Sequence, residues 1–379
     1  MGKNFIFSVI SLCIVFIAPF NTRAADKTST VALEKDIAVY DSLITIHPEK
    51  AELYYKRGML HQKLNDMEKA IKDYSIAINS DSSNVAYKYA RAGAYRDVNQ
   101  YAMAVQDINA IIYAEPNSGK AYHRRAYTYM LMGKWEESEA DFEKAVELEP
   151  ANVEYRIDYS LCYLNQGRYI YAWGEADKAV KINPNFAEAY NFRGRSNFGM
   201  NKFRQALEDF RYAAKLDSCN ELVYTSMSIT YMNLSMTDSA IYAISKALLC
   251  NPDYAEGYST RASIRKKTNN IYGAIEDYER AIELNPFLIE NYFNLGNIHY
   301  SNGDLVKANE CYNRASEVFP ENPVVYFNRA KILALMNKPV PALEDYHRAV
   351  QLIKDKAEYY DMKQQALYEI ELLNKKLGK

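Results

Sequence analysis

The residues with the clearest chemical spacing are six arginines, each followed sixteen residues later by an aspartate. In the stretch AIEDYERAIELNP, Ala274, Tyr278 and Ala281 mark one apolar face of a helix, and Asp277 lies on that same face. A carboxylate on an apolar face either binds a ligand or has a partner inside the fold. The six pairs are Arg57 with Asp73, Arg91 with Asp107, Arg125 with Asp141, Arg193 with Asp209, Arg261 with Asp277, and Arg329 with Asp345.

Catalytic motifs are absent from the sequence. It contains no HExxH, GxSxG or CxxC motif and no glycine-rich phosphate loop. Polar side chains spread along a chain also lack the clustered geometry that catalysis requires. The net charge of −2 gives no reason to expect a nucleic-acid partner. We therefore expect a non-enzymatic protein with no catalytic residue, no metal, no cofactor and no nucleic-acid partner.

The N-terminus has the pattern of a secretory signal. Lys3 precedes an apolar run from Phe5 to Phe20, and small residues follow at Ala24 and Ala25. The run is shorter than the span of about 20 residues that a transmembrane helix requires. We expect residues 1–24 to be a cleaved signal peptide and the mature chain to have no membrane span; a retained anchor is the alternative. The expected location is periplasmic or secreted.

A period of 34 residues organises the rest of the chain. Nine repeats without insertion run from Ala51 to Lys356. Position 8 of each repeat is Gly, Ala or Ser, positions 20 and 27 are almost always Ala, and positions 4 and 24 are mostly aromatic. Small residues let two helices approach closely, and the aromatic rings fill the space beside them. The period is marked by Pro116, Pro150, Pro184, Pro252, Pro286 and Pro320.

Position 15 predicts a turn inside each repeat. Its residues are Gly, Asn or Ser, and Gly and Asn tolerate the left-handed backbone conformation that ends a helix. Helix A should therefore stop at position 15, helix B should follow, and the closing proline should end helix B. The nine residues are Asn65, Asn99, Gly133, Gly167, Asn201, Ser235, Asn269, Gly303 and Asn337.

This pattern resembles the tetratricopeptide repeat, a helix–turn–helix unit, over about four fifths of the chain. The resemblance implies an all-α fold, a right-handed α-solenoid of tandem helix-turn-helix repeats. Residues 25–50 are expected to form an N-terminal extension, in which Asp36 to Pro48 is a half-repeat capping helix. Residues 51–356 are the nine repeats. Residues 357–379 hold a C-terminal capping helix from Glu358 to Lys376.

In each of the six arginine–aspartate pairs, the arginine is at position 7 and the aspartate at position 23 of the same repeat. The three remaining repeats lack both residues and carry Tyr159 with Glu175, Met227 with Ala243, and Leu295 with Cys311. Such co-variation implies contact. Both positions are equally far from the turn, so an antiparallel hairpin sets them opposite each other. We expect a structural salt bridge inside each of these six hairpins.

The resemblance also implies where a ligand would bind. In tetratricopeptide repeat proteins, helix A lines the concave surface, and its positions 2, 5, 6, 9, 12 and 13 commonly meet the ligand. Asn294 and Asn328 resemble the asparagine ladder by which superhelical members hold peptide backbone. The lysine/asparagine clamp for C-terminal carboxylates is not recognisable, since Tyr55 and Met59 stand in its place. The predicted peptide-binding groove comprises Tyr55, Tyr89, His123, Tyr127, Asn191, Arg195, Lys266, Phe293, Asn294, Asn297, Tyr300, Phe327, Asn328 and Lys331.

Four cysteines follow residue 24. Cys219 precedes helix A of the sixth repeat and Cys250 ends helix B of the same repeat, so a hairpin brings the two together. This placement allows a disulfide in an oxidising compartment, and two free thiols are the equal alternative. Cys162 and Cys311 fit packing positions.

These features predict an exported scaffold or adaptor that binds a protein or peptide partner. A bacterial cell envelope is favoured, because the export signal and the plain repeat array resemble those of envelope adaptors. A structural component that self-associates through its stacking edges or its C-terminal helix is one alternative. A lumenal co-chaperone is another, for which the terminus NKKLGK carries no retention signal.

Overall fold

The computed structural model describes residues 27–354 and 356–378, which form twenty α-helices and one 3-10 helix. The predicted signal peptide, residues 1–24, lies outside the described residues. Between Lys27 and Gly378 no helix is long and apolar enough to cross a bilayer. The predicted all-α fold of tandem helix pairs is confirmed.

The chain divides into two compact bodies, with the boundary between Leu216 and Asp217. The N-terminal body contains α1 (Lys27–Ile46), α2 (Ala51–Lys63), α3 (Met67–Ser80), α4 (Val85–Asp97), α5 (Tyr101–Ala114), α6 (Gly119–Leu131), α7 (Trp135–Leu148), α8 (Val153–Asn165), α9 (Tyr169–Ile182), α10 (Ala187–Gly199) and α11 (Phe203–Leu216).

The C-terminal body contains α12 (Glu221–Asn233), α13 (Thr237–Cys250), α14 (Ala255–Lys267), α15 (Ile271–Leu284), α16 (Ile289–Ser301), α17 (Leu305–Val318), α18 (Pro323–Leu335), α19 (Pro339–Ile353), a 3-10 helix (Ala357–Tyr359) and α20 (Tyr360–Lys376). In both bodies each even-numbered helix from α2 to α18 packs against the odd-numbered helix that follows it. The even-numbered members of these pairs are the A helices, and the odd-numbered members are the B helices.

Each hairpin turns at the residue predicted for it. All nine residues at position 15 have a positive φ, between 58° and 79°. At the first turn the backbone N–H of Asp66 donates to the carbonyl oxygen of His61, 2.9 Å away. The left-handed residue between them lets the last carbonyl groups of helix A find donors before helix B begins.

Small residues set the spacing within each helix pair. A Cβ added to Gly194, at position 8, would lie 2.6 Å from the ring of Phe210, at position 24. Ala206 and Ala213, at positions 20 and 27 of the same repeat, have no exposed surface. The ring therefore packs directly on the backbone of α10, which a larger side chain at position 8 would prevent.

The helix before the first repeat is longer than the half-repeat cap expected from the sequence. It begins at Lys27 rather than Asp36, because no Gly or Pro interrupts the residues between Lys27 and Ile46. It packs against α2.

The last helix, α20, packs on α19 with only one of its faces. Ala366, Ile370 and Leu373 are buried in a cluster with residues of α18 and α19. Tyr360 and Tyr368 are 62% and 60% exposed on the same helix. This helix therefore covers α19 and leaves aromatic surface in contact with solvent.

Candidate functional site

The structure places all six arginines at position 7 against the aspartates at position 23. Arg261 donates from Nε to Asp277 Oδ2 at 2.9 Å and from Nη2 to Oδ1 at 2.7 Å, and Arg265 Nη1 lies 2.9 Å from Oδ2. Asp277 is only 3% exposed. Its hydrogen bond raises the pKa of the Arg261 guanidinium above the ordinary arginine value. The same two-oxygen contact joins Arg57 to Asp73, Arg91 to Asp107, Arg125 to Asp141 and Arg329 to Asp345. Arg193 donates from both nitrogens to Oδ1 of Asp209, whose Oδ2 accepts from Asn197.

Five of these arginines also contact the helix that precedes their own hairpin, which the sequence reasoning missed. In each case Nη1 donates to a polar side chain sixteen residues earlier, so one guanidinium links three helices. The acceptors are Asp41 for Arg57 at 2.7 Å, Ser75 for Arg91 at 3.0 Å, Asn109 for Arg125 at 2.7 Å, Asp177 for Arg193 at 2.8 Å, and Asn313 for Arg329 at 3.1 Å.

The three repeats without the arginine–aspartate pair use other contacts. In the fourth repeat Arg156, at position 4, donates to Glu175 at 2.9 Å, so the two departures from the repeat pattern pair with each other. In the sixth and eighth repeats the two positions are apolar and buried: Met227 with Ala243, and Leu295 with Cys311. These positions serve helix packing, which leaves other surfaces as candidates for binding.

The predicted groove residues lie on the A helices, and in each body we call the side of the A helices that carries them the A-helix face. In the N-terminal body their rings pack on neighbouring side chains. His123 Nε2 lies 2.7 Å from Asp158 Oδ2, and its ring stacks on Tyr155 at 4.4 Å. The ring of Tyr55 lies 4.9 Å from that of Tyr87. These contacts hold the side chains in fixed orientations before any ligand arrives.

The other four predicted groove residues of the N-terminal body differ in burial and in their contacts. Tyr89 and Tyr127 are half-buried, and each ring has a cation above it: Lys120 Nζ at 4.7 Å and the Arg96 guanidinium at 5.3 Å. Asn191 is 7% exposed, and its Oδ1 has no hydrogen-bond partner among the described residues. The Arg195 guanidinium lies 5.0 Å from the ring centre of Phe192. The four residues are Tyr89, Tyr127, Asn191 and Arg195.

In the C-terminal body the structure brings Lys266, on α14, next to Asn294, on α16. Lys266 Nζ donates to Asn294 Oδ1 at 3.3 Å, and partial burial lowers the pKa of the Lys266 ammonium group. Asn297 Oδ1 accepts a hydrogen bond from the Tyr312 hydroxyl at 3.2 Å. Tyr300 is 48% exposed on the same helix. Polar and aromatic groups thus stand together on α16.

Two predicted groove phenylalanines, Phe293 and Phe327, are less exposed than Tyr300. Phe327 is 7% exposed and its ring lies 5.8 Å from that of Tyr346, so it belongs to the core between α18 and α19. Phe293 is half-buried, packed beside the ring of Tyr312 at 6.3 Å. Both rings lie on A helices, as their repeat position predicts; Phe327 is covered by its neighbours, and Phe293 keeps part of its surface open. Asn328 is half-buried and Lys331 is exposed on α18.

The cysteines fall into two classes. Cys219 and Cys250 form a disulfide across the sixth repeat, with their Cα atoms 5.2 Å apart. Cys162 and Cys311 are free and buried, and burial raises the pKa of the Cys311 thiol to about 12. A thiol with so high a pKa is a weak nucleophile at neutral pH, in keeping with a packing role.

Two of the five histidines lie in the core. His61 and His299, both at position 11, are about nine-tenths buried, and desolvation lowers the pKa of each imidazole. Among residues 30–354 and 356–378, no group of three or more His, Cys, Asp or Glu side chains is arranged to hold a metal ion.

Comparison with known proteins agrees with the repeat pattern. Residues 51–84, 119–152 and 289–322 match the family described as tetratricopeptide repeat, and residues 262–303 match one described as TPR repeat. A segment of 97 residues, 24% of the chain, is 39% identical to the DnaJ homolog subfamily C member 7 homolog of Dictyostelium discoideum. A segment of 88 residues, 23% of the chain, is 28% identical to RNA polymerase II-associated protein 3 of Xenopus laevis.

The chain spans only 18% and 13% of the length of these two relatives. Among solved structures, yeast Tom70 is similar over 92% of this chain and 87% of that one, with a TM-score of 0.58 and 18% sequence identity. This similarity concerns the fold. The matched segments, and the helix pairs that all turn at the same position of a 34-residue period, show that the chain belongs to the tetratricopeptide repeat proteins.

Proposed function

We propose that this chain is a non-enzymatic scaffold that binds a protein or peptide partner on its A-helix face. The observation that carries the proposal is the group on α16, where the exposed Tyr300 stands beside Asn294 and Asn297. Amide groups bond to peptide backbone, and a tyrosine ring adds apolar contact at little entropic cost. The charges at positions 7 and 23 are already paired within the scaffold and are unavailable to a ligand.

An exported location in a bacterial cell envelope is part of the proposal. The N-terminal pattern of residues 1–24 supports it, because a basic start, a short apolar run and small residues are typical of a cleaved signal. The Cys219–Cys250 disulfide supports it independently, since structural disulfides persist in oxidising compartments.

Self-association through α20 is the second candidate. Tyr360, Leu367, Tyr368 and Leu372 expose between 43% and 62% of their surface on this helix. Exposed apolar side chains of this size favour contact with another chain. Light scattering of the purified protein decides between the candidates: a monomer at all concentrations argues against self-association.

The binding proposal is tested by recovering partners with the purified protein. A variant with Asn294→Ala, Tyr300→Ala and Asn328→Ala should lose a partner that the unaltered protein retains. The matched control carries Tyr272→Ala and Val306→Ala, which remove exposed side chains from the B helices α15 and α17. Circular dichroism of both variants checks that the fold survives. Equal recovery by the two variants contradicts the proposal.

A further inference from the structure

The helices α1 and α20 are each one half of a repeat. Counted on the 34-residue period, α1 stands where the B helix of a repeat before the first would lie, and α20 stands where the A helix of a tenth repeat would lie. In the described part of the chain no A helix precedes α1 and no B helix follows α20. Each therefore lacks the partner that the other A and B helices have within their own hairpins.

Both helices pack on their neighbours in the way that this numbering requires. Asp41, at position 25 of α1, accepts a hydrogen bond from Arg57, as Ser75 and Asn109 at the same position accept from the arginines of the next two repeats. Ala366, at position 10 of α20, is buried, as position 10 is from the second repeat to the ninth. The packing thus identifies α1 as a B helix and α20 as an A helix.

The other side of α1 exposes apolar residues at positions that are closed in every hairpin. Position 23 is buried in all nine repeats, and position 27 has no exposed surface in any of them. A side chain at position 23 contacts the A helix of its own repeat, as Asp277 does through Arg261, and position 27 lies on the same side one turn later. In α1 these two positions hold Val39 and Leu43, which are 57% and 36% exposed.

α20 has the matching open side. Position 11 is buried or half-buried in all nine A helices, whereas Leu367, at position 11 of α20, is 43% exposed. In the seventh repeat, Arg265 at position 11 donates to the carbonyl oxygen of Gly273 on its B helix at 3.1 Å. The exposed side of α20 is therefore the side that a B helix covers in a complete repeat.

We propose that α1 of a second copy of this chain covers the open side of α20, so that two half-repeats form one hairpin between two molecules. The inference rests on the self-association candidate and goes further, because it names the surface that α20 meets and makes the contact head-to-tail. The repeat itself indicates the occupant: α1 exposes the positions with which B helices pack, and α20 is the A helix that lacks one. Burial of Val39, Leu43 and Leu367 favours the contact.

This contact should be weaker than a hairpin within the chain. Gln364 and Asp36 stand at positions 8 and 20, where the nine repeats have only Gly, Ala or Ser, so α1 and α20 cannot approach as closely. Lys363 and Val39 stand at positions 7 and 23, so the buried ion pair of the internal hairpins is missing as well. Association should therefore be reversible and should depend on protein concentration.

The test measures the mass of the purified protein by light scattering as its concentration rises. The unaltered protein should pass from single chains to complexes of two or more. Leu43→Glu and Leu367→Glu should each weaken association at least about tenfold, because the contact would then bury a carboxylate without a partner. Tyr113→Glu, which places the same charge at an exposed site on α5, is the matched control and should associate as the unaltered protein does. Circular dichroism checks the fold of each variant.

Mixing the two impaired variants distinguishes a head-to-tail contact from a symmetric one. The Leu43→Glu chain keeps an unaltered α20, and the Leu367→Glu chain keeps an unaltered α1. The mixture should therefore form a complex of two chains, although neither variant does so alone. The two altered sides repel each other, so this complex should not grow further.

A mixture that remains monomeric overturns the inference, as does a Tyr113→Glu variant that is impaired as much as the other two. Loss of association in Leu367→Glu but not in Leu43→Glu would show that α20 meets another surface, which rejects the head-to-tail contact and leaves the self-association candidate standing. An unaltered protein that is monomeric at all concentrations overturns both. Partner recovery that depends on Asn294, Tyr300 and Asn328 reports on the scaffold function separately.

Discussion

At the residue scale, Arg57 shows what a position-7 arginine contributes. Its Nε and Nη2 donate to Asp73 inside the hairpin, and its Nη1 donates to Asp41 on α1. A lysine has no planar fork of donors and would serve only one of these carboxylates well. The contact therefore fixes the geometry of one repeat and its attachment to the helix before it.

Removing Asp277 should destabilise the protein strongly, because it leaves two arginines without their carboxylate. Asp277→Ala is expected to lower the free energy of unfolding by about 3 kcal/mol, as is typical when one partner of a buried ion pair is lost. Arg261→Ala should have a comparable effect. The double variant should cost less than the sum of the two, as measured by urea denaturation.

Glu276→Ala provides the control for this cycle, since Glu276 is an exposed neighbour on the same helix. Its effect should stay within about 0.5 kcal/mol, as for most surface substitutions. Additive costs for Arg261→Ala and Asp277→Ala would show that the two side chains act independently and would contradict a coupled pair.

At the element scale, the turn at position 15 determines where each A helix ends. Ser235 is the one residue among the nine that is neither Gly nor Asn, yet it has φ 59°. A side chain in this left-handed region costs roughly 1 kcal/mol relative to glycine, since its Cβ approaches the neighbouring carbonyl oxygen. The sixth hairpin therefore contains a strained turn as well as a disulfide.

Ser235→Gly should relieve this strain and raise the free energy of unfolding by about 1 kcal/mol. The same substitution at Ser245, in the middle of α13, should lower it by about 0.5 kcal/mol, because glycine is a poorer helix former than serine. Thermal unfolding of the two variants measures both effects. Changes of the same sign at the two positions would contradict a left-handed turn at Ser235.

The period alone predicts the features that recur at one position. The turn residues and the facing positions 7 and 23 follow from it, because each depends on spacing within a single hairpin. The period does not predict the acceptors on the preceding helix, since Asp41, Ser75 and Asn109 have only a polar atom in common. The period does not predict burial either: Phe327 occupies a groove position, but the ring of Tyr346 packs against it.

At the scale of the whole molecule, charge is used in two distinct ways. Within the scaffold, buried carboxylates and guanidinium groups are paired across helices, so they add geometric specificity and present little free charge to solvent. On the A-helix face of the C-terminal body, polar and cationic groups such as Lys266 on α14 and Asn294 on α16 keep part of their surface open. The proposed scaffold function requires this division, since a rigid frame must hold contact residues in place before a partner arrives.

If the protein is exported, removal of residues 1–24 and formation of the Cys219–Cys250 disulfide should occur together. When the full-length chain is expressed in a Gram-negative bacterium, the recovered protein should begin at Ala25. Alkylation after denaturation should label Cys162 and Cys311 before reduction, and Cys219 and Cys250 in addition after it. A chain that lacks residues 1–24 should stay in the reducing cytosol, where all four thiols are labelled at once. A full-length chain that keeps residues 1–24 in the membrane fraction would identify a retained anchor, and labelling of all four thiols in exported protein would contradict the disulfide.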